Sequence, residues 1–305
     1  TGKFKIYGRN LPGGSTGEGI RLGLEELESI EVEIPLDRGK PLELEAGGIH
    51  SSLVPGMTWR LESNGRKSNP IRVGFSRFPV MKGNEGQEQA IRVPSETHAR
   101  FDTKGDLDQY RFEAKEGEPL WIECIASRIR AGSDPVLWID QVTVDAEGIE
   151  QFKEIASNDD SDGNPGGADF PFRNNDCSLL FTPPGDGNYR LRIHDYTGGG
   201  GPADLYRLII QPGAPDYDLV TTSWYAAPAK ATKAISRHSA IIRRGGTALL
   251  RVFAIRRNGF KDSISLSVKG LPDGIDCPPV TLTAEQDTAT LVLYGTKEVE
   301  NWQGF

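Results

Sequence analysis

The stretch Gly105-Asp106-Leu107-Asp108-Gln109-Tyr110-Arg111-Phe112-Glu113-Ala114 decides the fold of this chain. After a Gly-Asp turn it alternates apolar or aromatic residues with polar ones, which is the period of a half-buried strand. The same alternation recurs at Ile30–Ile34, Tyr189–Ile193, Tyr206–Ile210, Ile264–Val268 and Ala289–Leu293. Strands that recur at short intervals, with turn residues between them, predict an all-β chain of tandem β-sandwiches.

The composition supports the same fold class. The 305 residues include 36 glycines and 20 prolines, a density of turn formers that suits short strands joined by tight loops. Helical periodicity is nearly absent, and its best candidate is the short stretch Gly23–Glu28. The length predicts two or three domains rather than one.

Two polar stretches predict the domain boundaries. Residues Pro79–Pro94 and Gln211–Asp218 show no apolar period and are interpreted as linkers. They divide the chain into domains at 1–80, 81–212 and 213–305. The last domain ends within a strand-like pattern, and Thr1 is not a natural start, so we expect the natural protein to extend beyond these residues.

Charge and apolar content limit the classes of partner. The net charge of -8 argues against a nucleic-acid binder, which would need a basic surface. No apolar run approaches the roughly 18 residues of a membrane helix, so we expect no membrane span in these residues. Three cysteines, Cys124, Cys177 and Cys277, lack the spacing of a metal site. They are interpreted as small buried apolar residues, with a Cys124–Cys177 disulfide as the alternative.

Four motifs in order give the middle of the chain a family resemblance. They are the Gly-Asp-x-Asp-x-Tyr-x-Phe stretch from Gly105, Asp134–Leu137, Ala156–Asp160, and the run from Phe181 to Ile193. This order resembles the bacterial pre-peptidase C-terminal (PPC) domain over about residues 80–212, most closely the version in large secreted proteins of planctomycete-type bacteria. The flanking stretches Tyr7–Gly14 and Val268–Ile275 resemble immunoglobulin-like domains, the first of the IPT/TIG type.

The resemblance implies a specific architecture and role. The central domain would be a jelly-roll-like β-sandwich between immunoglobulin-like neighbours, the last of them truncated. PPC domains accompany secreted enzymes, are not themselves catalytic, and in some members bind calcium and fibrous or polymeric ligands.

Two groups of residues are candidate calcium ligands. Asn158, Asp160 and Asp162 offer side-chain oxygens at alternate positions before a glycine, as calcium loops do. No glutamate follows at the EF-hand position, and the alternative is a loop whose side chains cap their own backbone. Asp106 and Asp108 form the second group, for which the alternative is a polar turn before a strand.

The sequence singles out no catalytic motif, and paired carboxylates of the kind that cleave glycosides stay an open alternative. The four histidines lie in different predicted domains and form no zinc-type pair. No nucleophile elbow or phosphate-binding loop occurs, and the run Gly198–Gly201 predicts a mobile hairpin loop.

Aromatic and basic residues indicate where a ligand could bind. Trp121 and Trp138 lie among apolar neighbours and are predicted to be core, whereas Tyr196 lies in a turn and is predicted to be an exposed platform for a ligand. The stretch from Lys230 to Lys261 has nine Lys or Arg residues and no acid. It is interpreted as a solvated strand face, with an anionic polymer or the acidic domains of this chain as alternative partners.

We therefore expect a non-catalytic binding or spacer region of a larger secreted, periplasmic or cell-surface bacterial protein, stabilised by calcium. The expected partner is an extracellular polymer, polysaccharide or protein, or another domain of the same chain. The alternative is an accessory region of a polysaccharide- or protein-degrading enzyme that binds the polymeric substrate.

Overall fold

The computed structural model describes residues 2–36, 53–63, 65–84, 86–161, 163–167, 170–224 and 240–301. The regular structure of the described chain is almost entirely β, with a short 3₁₀ helix at Ser127–Ile129. It divides into two compact units, residues 1–161 with 174–214 and residues 162–173 with 215–305. No helix in the described part of the chain is long and apolar enough to cross a membrane.

The first part of unit 1 is built from short antiparallel pairs. The pairs are β1 with β4, β2 with β3, β5 with β8, and β6 with β7. A small core of Ile34, Met57 and Val73 holds β4, β5 and β8 together. The strands are β1 Gly2–Gly8, β2 Arg21–Leu22, β3 Glu25–Glu26, β4 Glu28–Ile34, β5 Gly56–Trp59, β6 Glu62–Ser63, β7 Arg66–Lys67 and β8 Ile71–Gly74.

The rest of unit 1, which we call the central module, is a sandwich of two five-stranded sheets. The first sheet has the order β10-β12-β17-β14-β15 and the second β16-β13-β18-β11-β9. Residues of both sheets share one core, because alternate side chains such as Tyr110, Leu191 and Leu208 turn inward. The strands are β9 Val80–Lys82, β10 Gln89–Ala90, β11 Ser95–Arg100, β12 Leu107–Ala114, β13 Leu120–Ile125, β14 Pro135–Val144, β15 Glu150–Asn158, β16 Cys177–Phe181, β17 Gly187–Asp195 and β18 Leu205–Pro212.

Unit 2 has a four-stranded sheet in the order β19-β20-β24-β22 and a separate pair, β21 with β23. Its segment 162–173 places Phe170 against Phe253 of β20, with ring centroids 5.0 Å apart and planes 8° from parallel. The strands are β19 Asp216–Trp224, β20 Thr247–Arg257, β21 Ile264–Leu266, β22 Ile275–Asp276, β23 Val280–Leu282 and β24 Thr288–Gly295.

The predicted all-β sandwich class is confirmed, and two local predictions are wrong. The helical candidate Gly23–Glu28 is largely a hairpin, because Gly23 adopts a left-handed φ of 65° and turns β2 into β3. The stretch predicted as the first linker contributes an edge strand to each sheet, since β9 pairs with β11 and β10 with β12. The domain boundary at 80 stays a prediction.

Candidate functional site

The predicted calcium ligands Asp106 and Asp108 have different environments. Asp106 lies in the turn before β12, and its carboxylate accepts a hydrogen bond from the backbone N–H of Asp102 at 2.7 Å. Asp108 is buried, and its carboxylate accepts the hydroxyl hydrogen of Tyr206 at 2.6 Å. Burial, with a smaller effect of the Asp106 charge, raises the pKa of Asp108 to about 6 although the Tyr206 hydrogen bond opposes the shift. Asp108 is therefore an interior carboxyl with one oxygen already bonded.

The second predicted group lies at the end of β15. The Asn158 side-chain oxygen accepts the backbone N–H of Ser178 at 2.9 Å, so this amide bridges β15 to the start of β16. Asp160 follows it, close enough to Asp134 to raise the pKa of that carboxyl. Asp162 lies outside the described residues.

Asp160 belongs to a larger set of carboxylates, Asp134, Asp159, Asp160, Asp195 and Asp204, which we call the acidic end. Its centre is buried Asp195, which accepts hydrogen bonds from Asp134 N at 2.7 Å, Thr197 Oγ1 at 2.5 Å and Gly199 N at 2.6 Å. Burial opposes the charge of Asp195, yet these hydrogen bonds hold its pKa below the ordinary value. Asp195 is therefore a fixed negative charge.

The neighbours of Asp195 respond to that charge. The pKa of Asp134 is raised by burial and then by Asp160, Asp195 and Asp159. The pKa of Asp204 is raised by burial and then by Asp195. Sequence reasoning missed Asp134 and Asp204 as members of this set, although Asp134 precedes β14 directly and Asp204 precedes β18, positions that bring strand ends together.

The acidic end does not form a ready-made metal site. Among the residues that the structure describes, no group of three or more His, Cys, Asp or Glu side chains is arranged to hold a metal ion. Its carboxylate oxygens are nevertheless the donor type that calcium prefers. The predicted calcium ligands thus stay a prediction.

Tyr196 is highly exposed, as predicted, with 69% of its surface open to solvent. Its backbone N–H donates to the carbonyl of Asp134 at 2.7 Å, which fixes the loop beside the acidic end. The adjoining run Gly198–Gly201 is held in place: Gly199 N bonds to Asp195, and Gly201 N bonds to the carbonyl of Phe101 at 2.7 Å.

A second candidate surface lies on the solvent side of the first sheet, and we call it the outer face. The side chains of β17 alternate, so that Leu191 and Ile193 enter the core and Arg190, Arg192 and His194 point away from it. The outer face consists of Gln109, Arg111, Trp138, Asp140, Phe152, Glu154, Arg190, Arg192 and His194.

Asp140 is the anchor of the outer face. It is buried beneath the arginines and accepts hydrogen bonds from Arg190 Nε at 2.9 Å and from Arg192 Nε at 2.8 Å and Nη2 at 2.9 Å. Arg192 also reaches Glu154 at 3.0 Å. Charge-assisted pairs of this kind fix both guanidinium planes.

Aromatic rings lie beside these fixed arginines. The Arg190 guanidinium lies 3.5 Å from the ring centroid of Phe152, which is 42% exposed. The Trp138 ring stacks on His194 with centroids 4.8 Å apart. The Arg192 guanidinium carbon lies 5.3 Å from the centroid of the same Trp138 ring. The outer face is therefore a layer of rings and guanidinium planes held in fixed orientations.

The prediction that Trp121 and Trp138 are core residues is wrong. Both are half-buried, because neighbours on a strand point to opposite faces. In the first sheet, Leu137 and Ile139 point into the core, so Trp138 between them points away from it. In the second sheet, Ile122 points into the core and its neighbour Trp121 points away.

Three described arginines of the basic stretch, Arg251, Arg256 and Arg257, have internal partners. Arg251 donates to Thr290 and Thr288, and Arg257 pairs with Asp218 at 2.6 Å. Lys230, Lys233 and Arg237 lie outside the described residues.

Two solved structures are similar to part of the chain. One is the pre-peptidase C-terminal domain of collagenase from Bacillus anthracis, with 15% identity, a TM-score of 0.29, and coverage of 41% of this chain and 94% of that chain. The other is CorA, a surface-associated copper-binding protein of Methylomicrobium album BG8, with 14% identity, a TM-score of 0.29, and coverage of 43% and 100%. No family model and no curated protein matches the chain.

Proposed function

We propose that this chain is a non-catalytic binding region of a secreted, periplasmic or cell-surface protein, and that it holds an extracellular polysaccharide on the outer face of the central module. The observation that supports this proposal is the fixed layer of Phe152, Trp138 and the two arginines above Asp140. The exposed part of the Phe152 ring offers apolar contact to a sugar ring, and planar side chains held in position hydrogen-bond to hydroxyl groups at a low entropic cost. An accessory role beside a polymer-degrading domain uses the same surface.

A depletion assay tests the outer face. The full chain is mixed with insoluble cellulose, xylan, chitin or collagen fibrils, and the unbound fraction is measured. Phe152→Ala removes the most exposed ring and should weaken polysaccharide binding by about tenfold, the loss of roughly 1.4 kcal/mol of contact energy. The matched control is Leu180→Ala on the second sheet, since Leu180 is 43% exposed and Phe152 is 42% exposed.

The same assay separates the alternatives. Equal binding of the two variants would place the polymer elsewhere. Retention by collagen alone would replace polysaccharide with a protein polymer. Turnover of any of these polymers, abolished by a point mutation, would show that the region is catalytic.

A second candidate role is binding of calcium at the acidic end, which would stabilise the central module. Support comes from the raised pKa values of Asp134 and Asp204, because both show carboxylates whose burial and mutual repulsion a divalent cation would relieve. Asp134 and Asp160 would each contribute a carboxylate oxygen, and backbone carbonyls and water would complete the six to eight oxygens that calcium takes.

Thermal unfolding in calcium and in chelator tests this role. We expect calcium at millimolar concentration to raise the midpoint, because a ligand that binds only the folded state stabilises it. Asp160→Asn should abolish the rise. The control is Asp186→Asn, which should leave the rise unchanged, because the Asp186 carboxylate lies in another turn and accepts the Glu116 N–H. A rise of equal size in magnesium, or one retained by Asp160→Asn, would contradict the site.

A further inference from the structure

A large apolar cavity in unit 1 takes no part in the functions proposed above. It has a volume of about 790 Å³, which is within the range of small-molecule sites. Apolar side chains of β1, β4 and β8 form much of its lining, including Phe4, Ile6, Ile34 and Val73. A cavity with such walls favours a ligand with an apolar body.

Two arginines, Arg72 of β8 and Arg207 of β18, also line this cavity. Arg207 is 7% exposed and pairs through Nε and Nη2 with Glu96 at 2.7 Å. Arg72 donates from Nη2 to the carbonyl of Val54. Among the described residues, the buried Arg207 Nη1 and Arg72 Nε have no hydrogen-bond partner. A buried N–H of a charged group that has lost its water and gained no partner is unfavourable, so an acceptor at these two donors would stabilise the folded chain.

The charges around the two arginines do not balance. Glu96 is the carboxylate bonded to Arg207, and it also contacts His98 Nε2 at 2.5 Å. Burial and then repulsion from Arg207 lower the pKa of Arg72 to about 10. Arg72 and Arg207 are thus two like charges close together, and one carboxylate is shared between Arg207 and His98.

Three further basic residues, Lys5, Lys82 and Arg100, line the cavity, with Asp102 among them. Lys5 pairs with Glu18 at 2.5 Å, and Arg100 pairs with Asp102. Lys82 is exposed. The cavity therefore joins an apolar wall to a basic one, which is the distribution that an amphipathic anion matches.

Gly74 makes room for the guanidinium group of Arg207 at the wall of the cavity. A Cβ atom at this position would lie 2.5 Å from Arg207 Nη1, and Gly74 does not adopt the left-handed backbone region. The glycine is thus needed for room beside the guanidinium group rather than for the turn of the chain.

We propose that this cavity binds a small organic anion with an apolar body, and that Arg72 and Arg207 hold its carboxylate head. The planar fork of a guanidinium group matches a carboxylate in geometry, and the apolar body fills the space between β1, β4 and β8. The proposal is independent of the outer face and of the acidic end.

Isothermal titration of the full chain with octanoate, octanol and octyl phosphate tests the proposal. We expect octanoate to bind at one site and octanol, which has the same apolar body, to bind about tenfold to a hundredfold more weakly, because charge-assisted hydrogen bonds of about 1.5–3 kcal/mol are lost. Binding of octanol as tight as that of octanoate, or no octanoate binding at 1 mM, would overturn the proposal. Octyl phosphate that binds more than tenfold tighter than octanoate would overturn the carboxylate assignment.

A pair of variants locates the head group. Arg72→Met keeps much of the side-chain volume and should remove the preference for octanoate over octanol, whereas Arg72→Lys should retain part of it. Arg92→Met, at an exposed position outside the cavity, is the control and should bind as the wild type does. If Arg72→Met does not fold, judged by circular dichroism, the octanoate-to-octanol ratio of the wild type and of Arg72→Lys decides.

Discussion

Tyr206 of β18 donates its phenolic hydrogen to the buried carboxylate of Asp108 on β12, 2.6 Å away, and so joins the two sheets of the central module through the core. Tyr110 Oη lies 2.5 Å from Tyr206 Oη and extends this contact. Because Tyr206 donates to Asp108, the hydrogen between the two tyrosines comes from Tyr110. The three side chains form one buried polar chain whose charged end is Asp108.

The buried Asp108 of this hydrogen-bonded trio predicts an unusual pH dependence of the protein's stability. The pKa of Asp108 is raised from 3.8 to about 6 on folding, so the folded state binds its proton more tightly than the unfolded state does. The resulting stabilisation is complete below about pH 4 and is lost as the pH rises through about 6. The free energy of unfolding should therefore fall by about 2 kcal/mol relative to an Asp108→Asn variant between pH 4 and pH 7.

Urea denaturation at several pH values measures this difference. Asn at position 108 can still accept the Tyr206 hydrogen bond but cannot titrate. Glu113→Gln, at an exposed position of β12, is the control and should follow the wild-type profile. Parallel profiles for wild type and Asp108→Asn would contradict the raised pKa.

Replacement of Arg128 by alanine should cause a large loss of stability. It is 6% exposed, and its Nη2 and Nε pair with Glu123 at 2.6 Å and Asp176 at 2.5 Å. Burial disfavours its charge, but the two carboxylates outweigh burial and raise the pKa of Arg128. Arg128→Ala would leave both acids buried without their partner and should cost about 3–5 kcal/mol. Guanidinium denaturation of Arg128→Ala and of the exposed Arg92→Ala checks this, since the second should change stability by less than about 0.5 kcal/mol.

Strand positions of the central module follow from the sequence because each strand has one face in the core. Tyr110 and Phe112, two residues apart, both lie in that core, so the burial that stabilises β12 is visible as a period of two. The same rule, applied to Leu137 and Ile139, places Trp138 outside. The prediction that Trp138 is core rests on its apolar neighbours, but neighbours on a strand point to opposite faces.

The candidate sites could not be predicted in the same way. Arg72 and Arg207 come together only because β8 and β18 contribute to one cavity, and no local pattern contains that information. Arg128 is a charged residue in a polar turn, which sequence reasoning places on the surface. Its burial depends on Asp176, which also accepts the N–H groups of Ala126 and Ser127 at 2.7 and 2.6 Å.

A substitution at Gly200 tests whether the run Gly198–Gly201, which the sequence predicts to be mobile, is fixed in the folded protein. A Cβ atom at Gly200 would lie 2.1 Å from the carbonyl oxygen of Thr103, which is backbone and cannot move aside cheaply. Gly200→Ala should therefore destabilise the protein by about 1–3 kcal/mol. Gly185→Ala is the matched control, because an added Cβ there meets nothing within 4 Å. Equal stability of the two variants in urea denaturation would show that the loop yields freely.

The number of cysteine thiols that react with a reagent should depend on whether the protein is folded. Cys124 and Cys177 face each other across β13 and β16, all three cysteines are free and buried, and burial raises the pKa of Cys124 and of Cys277. Thiolates are the reactive form, so native thiols should react slowly. We expect less than one equivalent of a chromogenic disulfide reagent to react within minutes at pH 8 in the native protein and three in denaturant, falling to two for Cys277→Ser. A single reactive thiol in denaturant without reductant would instead show a Cys124–Cys177 disulfide, and two fast thiols in the native state would show that this part of the core is open.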